Sequence, residues 1–114
     1  MASINRERVA VDWAKRGFGC DLWIDKPGQR WEDFTHPTDE LVLVLEGKME
    51  FEIAGKVCHP EFGEELLIPA GAIHSARNIG ASTARWLFGY KRRGLDKPDR
   101  FPESISIIES GSRL

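Results

Sequence analysis

The sequence predicts an all-β fold, a sandwich or closed barrel made of two sheets, on three observations. Apolar and polar residues alternate at period two through segments of five to eight residues. Gly, Pro or Asp interrupts that pattern every eight to twelve residues, the spacing of short strands joined by turns. No segment carries a helical stripe, so the crossover helices of a parallel sheet are not expected.

Strands are expected first over Val9 to Trp13 and over Phe18 to Asp25, where Phe18, Cys20, Leu22 and Ile24 alternate with Gly19, Asp21 and Trp23. Lys26-Pro27-Gly28 is a turn. A strand over Gln29 to His36 closes at Pro37-Thr38-Asp39, and Glu40 to Glu46 runs into Gly47-Lys48, read as a tight hairpin turn. Met49, Phe51 and Ile53 alternate with Glu50 and Glu52 on the next strand, which is half-buried by pattern. After a turn at Ala54-Gly55 come short strands near Lys56 to His59, Leu66 to Pro69, Ile73 to Asn78 and Ala84 to Lys91. The polar segment 92–104 then leads to a candidate last strand over Ile105 to Glu109. The 114 residues make one domain, residues 1–114.

Sixteen basic against 18 acidic residues leave a net charge of -2, which lacks the basic footprint for nucleic acid or an anionic membrane surface. The longest uncharged apolar stretch, Leu66 to Ile73, contains Pro69 and Gly71 and falls far short of a membrane span. Residues 1–9 mix charges of both signs without an apolar core, so no secretory signal is expected and the chain is read as cytoplasmic. Cys20 and Cys58 are too few for a disulfide framework and are expected to be free thiols, each a small buried hydrophobe and not a nucleophile.

Residues two apart on a strand point the same way, so Phe34 and His36 share a face just before the Pro37 turn, and Glu40 opens the next strand. His74 lies directly behind Pro69-Ala70-Gly71, a rigid turn that sets where its strand begins. Two imidazoles and a carboxylate at one end of a small barrel make a facial ligand set with open positions, suited to a divalent Fe, Mn, Ni or Zn ion. By the same alternation Arg30 and Glu32 share the face of Phe34 and His36, either lining the barrel mouth or forming a surface ion pair. Trp86, Phe88 and Tyr90 share one face of their strand, and the sequence does not say which face is inside. Core packing accounts for at least two of them, and Trp86 is carried with Phe34, Glu32 and Arg30 as a candidate ligand contact. Asn78 is expected to tie a turn to the backbone, and His59 to lie on the surface.

The spacing around these residues resembles the cupin family. Gly28, Phe34, His36, Glu40 and Gly47 follow the first cupin motif, G-x5-H-x-H-x3-E-x6-G, over residues 28–47. Gly63, Pro69, Gly71, His74 and Asn78 follow the second, G-x5-P-x-G-x2-H-x3-N, over residues 63–78. Nine of the ten fixed positions match; Phe34 stands where the pattern has its first histidine. The resemblance implies a double-sheet jelly-roll β-barrel with a metal inside one end, held here by His36, Glu40 and His74. Three functions are compatible with it, one of them an auxiliary domain acting through protein contacts alone, and the other two involve a small molecule. One is a metal-dependent enzyme on a small organic molecule, such as a dioxygenase, isomerase or decarboxylase; the other is a module that binds or senses a small ligand without turnover. A homodimer is also expected, because Leu41, Leu43 and Leu45 need cover once Glu40, Val42 and Val44 face the interior. A second sheet of the same chain is the alternative cover.

Overall fold

The computed structural model describes residues 4–92; the segment from residue 93 on and the candidate strand at Ile105 to Glu109 lie outside them. Eight strands follow one helix: α1 (Arg6–Lys15), β1 (Asp21–Asp25), β2 (Arg30–Phe34), β3 (Glu40–Glu46), β4 (Met49–Ile53), β5 (Lys56–Cys58), β6 (Glu65–Ile68), β7 (His74–Asn78) and β8 (Ala84–Tyr90). They form two four-stranded antiparallel sheets, ordered β1-β8-β3-β6 and β2-β7-β4-β5. This is the jelly-roll architecture expected of the sequence. Side chains from both sheets, including Val42, Val44, Met49, Phe51, Ile68 and Trp86, fill the space between them.

One turn does something other than expected. Gly47-Lys48 does not close a hairpin, because β3 and β4 belong to different sheets and the turn hands the chain across the barrel. Gly47 has φ 91°, and a Cβ there would come within 2.7 Å of the Ala84 backbone, so both conformation and space demand glycine. The Pro69 turn likewise carries the chain from one sheet to the other, between β6 and β7. The tight hairpin is instead β4–β5, where Ala54 (φ 50°) and Gly55 (φ 84°) join the paired residues Ile53 and Lys56.

The strand expected over Val9 to Trp13 is a helix. Asn5 caps it by accepting hydrogen bonds from the Glu7 and Arg8 amides at 2.9 and 3.1 Å. Glu7 and Lys15 suit the two ends of the helix dipole. Val9 and Trp13, four residues apart, then share one face, and helical spacing outweighs their β propensity. That face packs on the outer side of the β1-β8-β3-β6 sheet. There Trp13 (1% exposed), Phe18, Leu41, Leu43 and Leu87 make a second core, with Leu45 packed against it. Burying a side chain of this size contributes about 1.5 to 3 kcal/mol. The leucines therefore find their cover in α1 of their own chain, and they no longer call for a second copy.

Candidate metal centre

His36, Glu40 and His74 reach one point from three elements. Glu40 opens β3, a central strand paired with β6 and β8, and lies opposite Tyr90 and Ile68. His74 opens β7, opposite Phe34. His36 sits in the loop after β2, and its position depends on backbone ties. The Gly71 amide donates to the His36 carbonyl at 2.8 Å, and the Ala70 amide donates to Asp39 Oδ1 at 2.8 Å. The Pro69-Ala70-Gly71 turn therefore sets the start of the His74 strand and also pins the His36 loop beside it.

Glu40 Oε1 lies 3.5 Å from His36 Nε2 and 3.5 Å from His74 Nε2, and the three residues can each offer one ligand atom within 4.8 Å of the others. Neither 3.5 Å approach is a hydrogen bond, and Glu40 Oε1, on a residue only 4% exposed, has no hydrogen-bond partner. A buried carboxylate oxygen without a donor is costly. His74 Nδ1 lies 3.0 Å from the Ala72 carbonyl; donating to it leaves the Nε2 lone pair aimed at the same point. A divalent cation is the partner that would satisfy the orphaned oxygen and both imidazoles together, so the group could hold a metal ion.

The two imidazoles are perturbed in opposite directions. Burial pushes the His36 pKa down, the Glu40 carboxylate pulls it up, His74 adds to the lowering, and the net shift is downward. Burial also opposes charge on His74, but the Glu40 carboxylate and the Ala72 carbonyl outweigh it, and its pKa is raised. Both cysteines have raised pKa values through burial, Cys20 to about 11, which leaves them protonated and poor nucleophiles.

The cavity beside this group is walled by aromatic rings. Phe34 and Trp86 both line it, the Phe34 ring centroid lying 6.5 Å from that of His74. Arg30 and Glu32 are not there. Trp31 pairs with Ala76 and Phe34 with His74, so Glu32 and Asp33 together face the single residue Ser75. Asp33 takes φ 60°, and its amide donates to Ser75 Oγ at 2.9 Å. This bulge reverses the alternation: Trp31 and Phe34 point inward, and Arg30 and Glu32 outward. On the outer face Glu32 pairs with Arg30 and Arg77, and Arg77 also holds Glu50 and Glu52 at 2.7 Å.

His59 is exposed beside Glu50. Asn78 is 2% exposed and donates to the Asp25 and Ser82 carbonyls, a backbone tie as expected. Two features escaped the sequence reading. Tyr90 lines the cavity with its Oη 3.3 Å from His36 Nε2; the signal was Gly89, whose outer face is so close to the Gly19 carbonyl that no Cβ fits, which turns its neighbours inward. The other is Asp25, which gathers the indoles of Trp23, Trp31 and Trp86 and gives no local signal.

A jelly-roll barrel with two imidazoles and a carboxylate converging inside one end defines the class of small β-barrels built around a ligand-binding interior. The family model for the cupin domain matches residues 21–90, and the chain belongs to that family. A curated relative, a protein named polyketide synthase CurC from Streptomyces cyaneus, is 36% identical over 76 residues, 66% of this chain. The chain spans about half (49%) of that relative's length. Among solved structures, a salicylate 1,2-dioxygenase from Pseudaminobacter salicylatoxidans superposes with a TM-score of 0.61 at 18% identity, over 66% of this chain and 22% of the other. The DMSP lyase DddQ from Ruegeria pomeroyi DSS-3 superposes with a TM-score of 0.61 at 18% identity, over 71% and 41%. At that identity both show a shared fold. Among the described residues no helix is long and apolar enough to cross a membrane.

Proposed function

We propose that this cupin binds a divalent transition metal through His36, Glu40 and His74 and uses it to bind or transform a small organic molecule. The observation that carries this reading is the buried, partnerless Glu40 Oε1 between two imidazole nitrogens. A bound Fe, Mn, Ni or Zn ion would supply a Lewis acid with positions left open for an oxygen ligand. Around it the protein's own groups divide the work. Ala72 fixes the His74 tautomer, Phe34 withholds a fourth donor, and the Tyr90 hydroxyl is placed to hold or pass a proton at the ligand. The cavity has no Lys or Arg among its described lining residues, so a bound metal would be the one positive charge those residues present to the ligand. The curated relative is named a polyketide synthase, and a carbon skeleton bearing keto or hydroxy oxygens suits such a cation between apolar walls.

Elemental analysis of the purified protein tests the reading first. Near-stoichiometric metal that falls away in Glu40→Gln and His74→Ala supports it. Metal-free protein that takes up neither Zn(II) nor Co(II) in titration overturns it. A second reading, ligand binding without turnover, is favoured by the shortage of acid or base groups: beyond the triad, Tyr90 is the one such side chain lining the cavity among the described residues. Turnover of a keto or hydroxy compound by metal-loaded protein, lost in Tyr90→Phe with metal retained, separates the two.

A further inference from the structure

Asp25 is 2% exposed and lies in the barrel wall, away from the histidines. Its Oδ1 accepts hydrogen bonds from the indoles of Trp23 and Trp31, each at 2.8 Å, and its Oδ2 accepts one from Trp86 at 3.0 Å. The three donors come from β1, β2 and β8, so one carboxylate ties together strands of both sheets. Trp23 and Trp31 meet edge to face at 5.5 Å, and Trp23 lies 6.5 Å from Trp86. All three rings line the same cavity as His36, Glu40 and His74. Because every indole N–H is engaged by Asp25, the rings turn their apolar surfaces to the cavity and offer a ligand no hydrogen bond.

The cavity opens to solvent and holds about 50 Å³ of water-accessible space, room for an ion with a few waters. Trp23, Trp31 and Phe34 are only partly buried and continue the cavity to the surface. A ligand with its oxygen at the histidine end therefore lays its body along these rings. A flat body meets them best, since aromatic edge and face contacts add about 0.5 to 1.5 kcal/mol beyond area alone. We propose that Asp25 is a positioning residue for ligand recognition, locking Trp23, Trp31 and Trp86 into a rigid wall that selects a planar apolar ring carrying an oxygen donor. This rests on the reading of the His36, Glu40 and His74 end as the place where that oxygen is bound.

Asp25→Asn tests it, because an amide keeps the shape but has only one accepting atom, so at least one indole N–H faces an NH2 group. Binding of phenol and of cyclohexanol, which share a hydroxyl and differ in planarity, is measured by calorimetry and tryptophan fluorescence on Zn(II)-loaded and on metal-free protein. The wild type should prefer phenol roughly tenfold. In Asp25→Asn the preference should fall below roughly threefold while Zn(II) affinity, from chelator competition, stays within roughly twofold. Trp31→Phe removes one donor and keeps a ring, and it should give an intermediate preference; it also serves if Asp25→Asn does not fold. Wild-type protein that takes no Zn(II) defeats the metal reading alone, because the wall is still tested by the phenol preference of the metal-free protein. An unchanged preference in folded Asp25→Asn and Trp31→Phe, or none in the wild type, means that Asp25 only stabilises the fold and overturns the inference.

Discussion

Asp25 and Glu40 are both carboxylates sealed inside the same barrel, 2% and 4% exposed, and they are treated in opposite ways. Asp25 receives three indole N–H donors. Glu40 keeps one oxygen with none, 3.5 Å from two imidazole nitrogens whose lone pairs can be aimed, like its own, at a shared cation. Burial therefore does not say what a carboxylate is for; the chemistry of its neighbours does. Surrounded by donors, the carboxylate has its hydrogen-bonding capacity met in place and the residue becomes a clasp. Surrounded by acceptors, it waits for a cation from outside.

The contrast can be broken at either carboxylate. Asp25→Ala should have the largest effect, a loss of about 3 to 5 kcal/mol in urea unfolding, because three buried or partly buried indole N–H groups lose their acceptor at once. Glu40→Gln should change the stability of metal-free protein by no more than about 1 kcal/mol, since no donor is lost. What it should lose is metal-dependent stabilisation: at a Zn(II) concentration 100 times its Kd the wild type gains about 2.7 kcal/mol, read as a rise in Tm that the variant lacks. Equal destabilisation by the two substitutions without metal would erase the distinction.

Phe34→His sharpens the Glu40 side. Position 34 lies opposite His74 in the sheet and its side chain lines the cavity, so an imidazole there adds a nitrogen donor where the backbone already aims inward. Zn(II) affinity in competition with a chelator should rise about tenfold, or about 1.4 kcal/mol. Lower affinity would show that the Phe34 ring holds the site open by packing alone.

The smallest effect belongs to a third group of carboxylates, on the outer face. Hydrogen bonds from Arg77 hold the Glu32 pKa at about 2, against an ordinary 4.5, and His59 with Arg77 lowers that of Glu50. Carboxylates with lowered folded-state pKa values stabilise the fold above the unfolded pKa, and that contribution fades as pH falls from about 4.5 toward 2. Arg77→Met should flatten the acid side of a Tm-against-pH curve over that window by lowering its neutral end while leaving the end near pH 2 unchanged, and the drop should be small because the pairs are exposed to solvent screening. An equal loss at pH 2, where the carboxylates are protonated, would mean that Arg77 carries packing as well as charge.

Most of the strand order and the whole His36, Glu40 and His74 group were legible in the sequence. The information is local there: a turn of fixed length, a glycine needing positive φ at Gly47, and ligands one, three and five residues from a proline. Such spacings hold in whatever sheet the strands join. The identity of each strand's neighbour is not local. Gly47-Lys48 has the composition of a hairpin turn, yet it crosses between sheets.

The sequence by itself determined the β character of residues 18–91, the turn glycines and the residues able to ligate a metal, because each depends on a residue and its near neighbours. Only the tertiary structure decided the rest. Alternation is a running parity, and the single bulge at Asp33 reversed it, sending Arg30 and Glu32 to the surface and Trp31 inward. The segment at Val9 to Trp13 became a helix because the open leucine face of β3 offered it a place to bury Trp13. The three indoles on Asp25 come from residues up to 61 positions away, and no pattern along the chain encodes a meeting that arises only when two sheets close on each other.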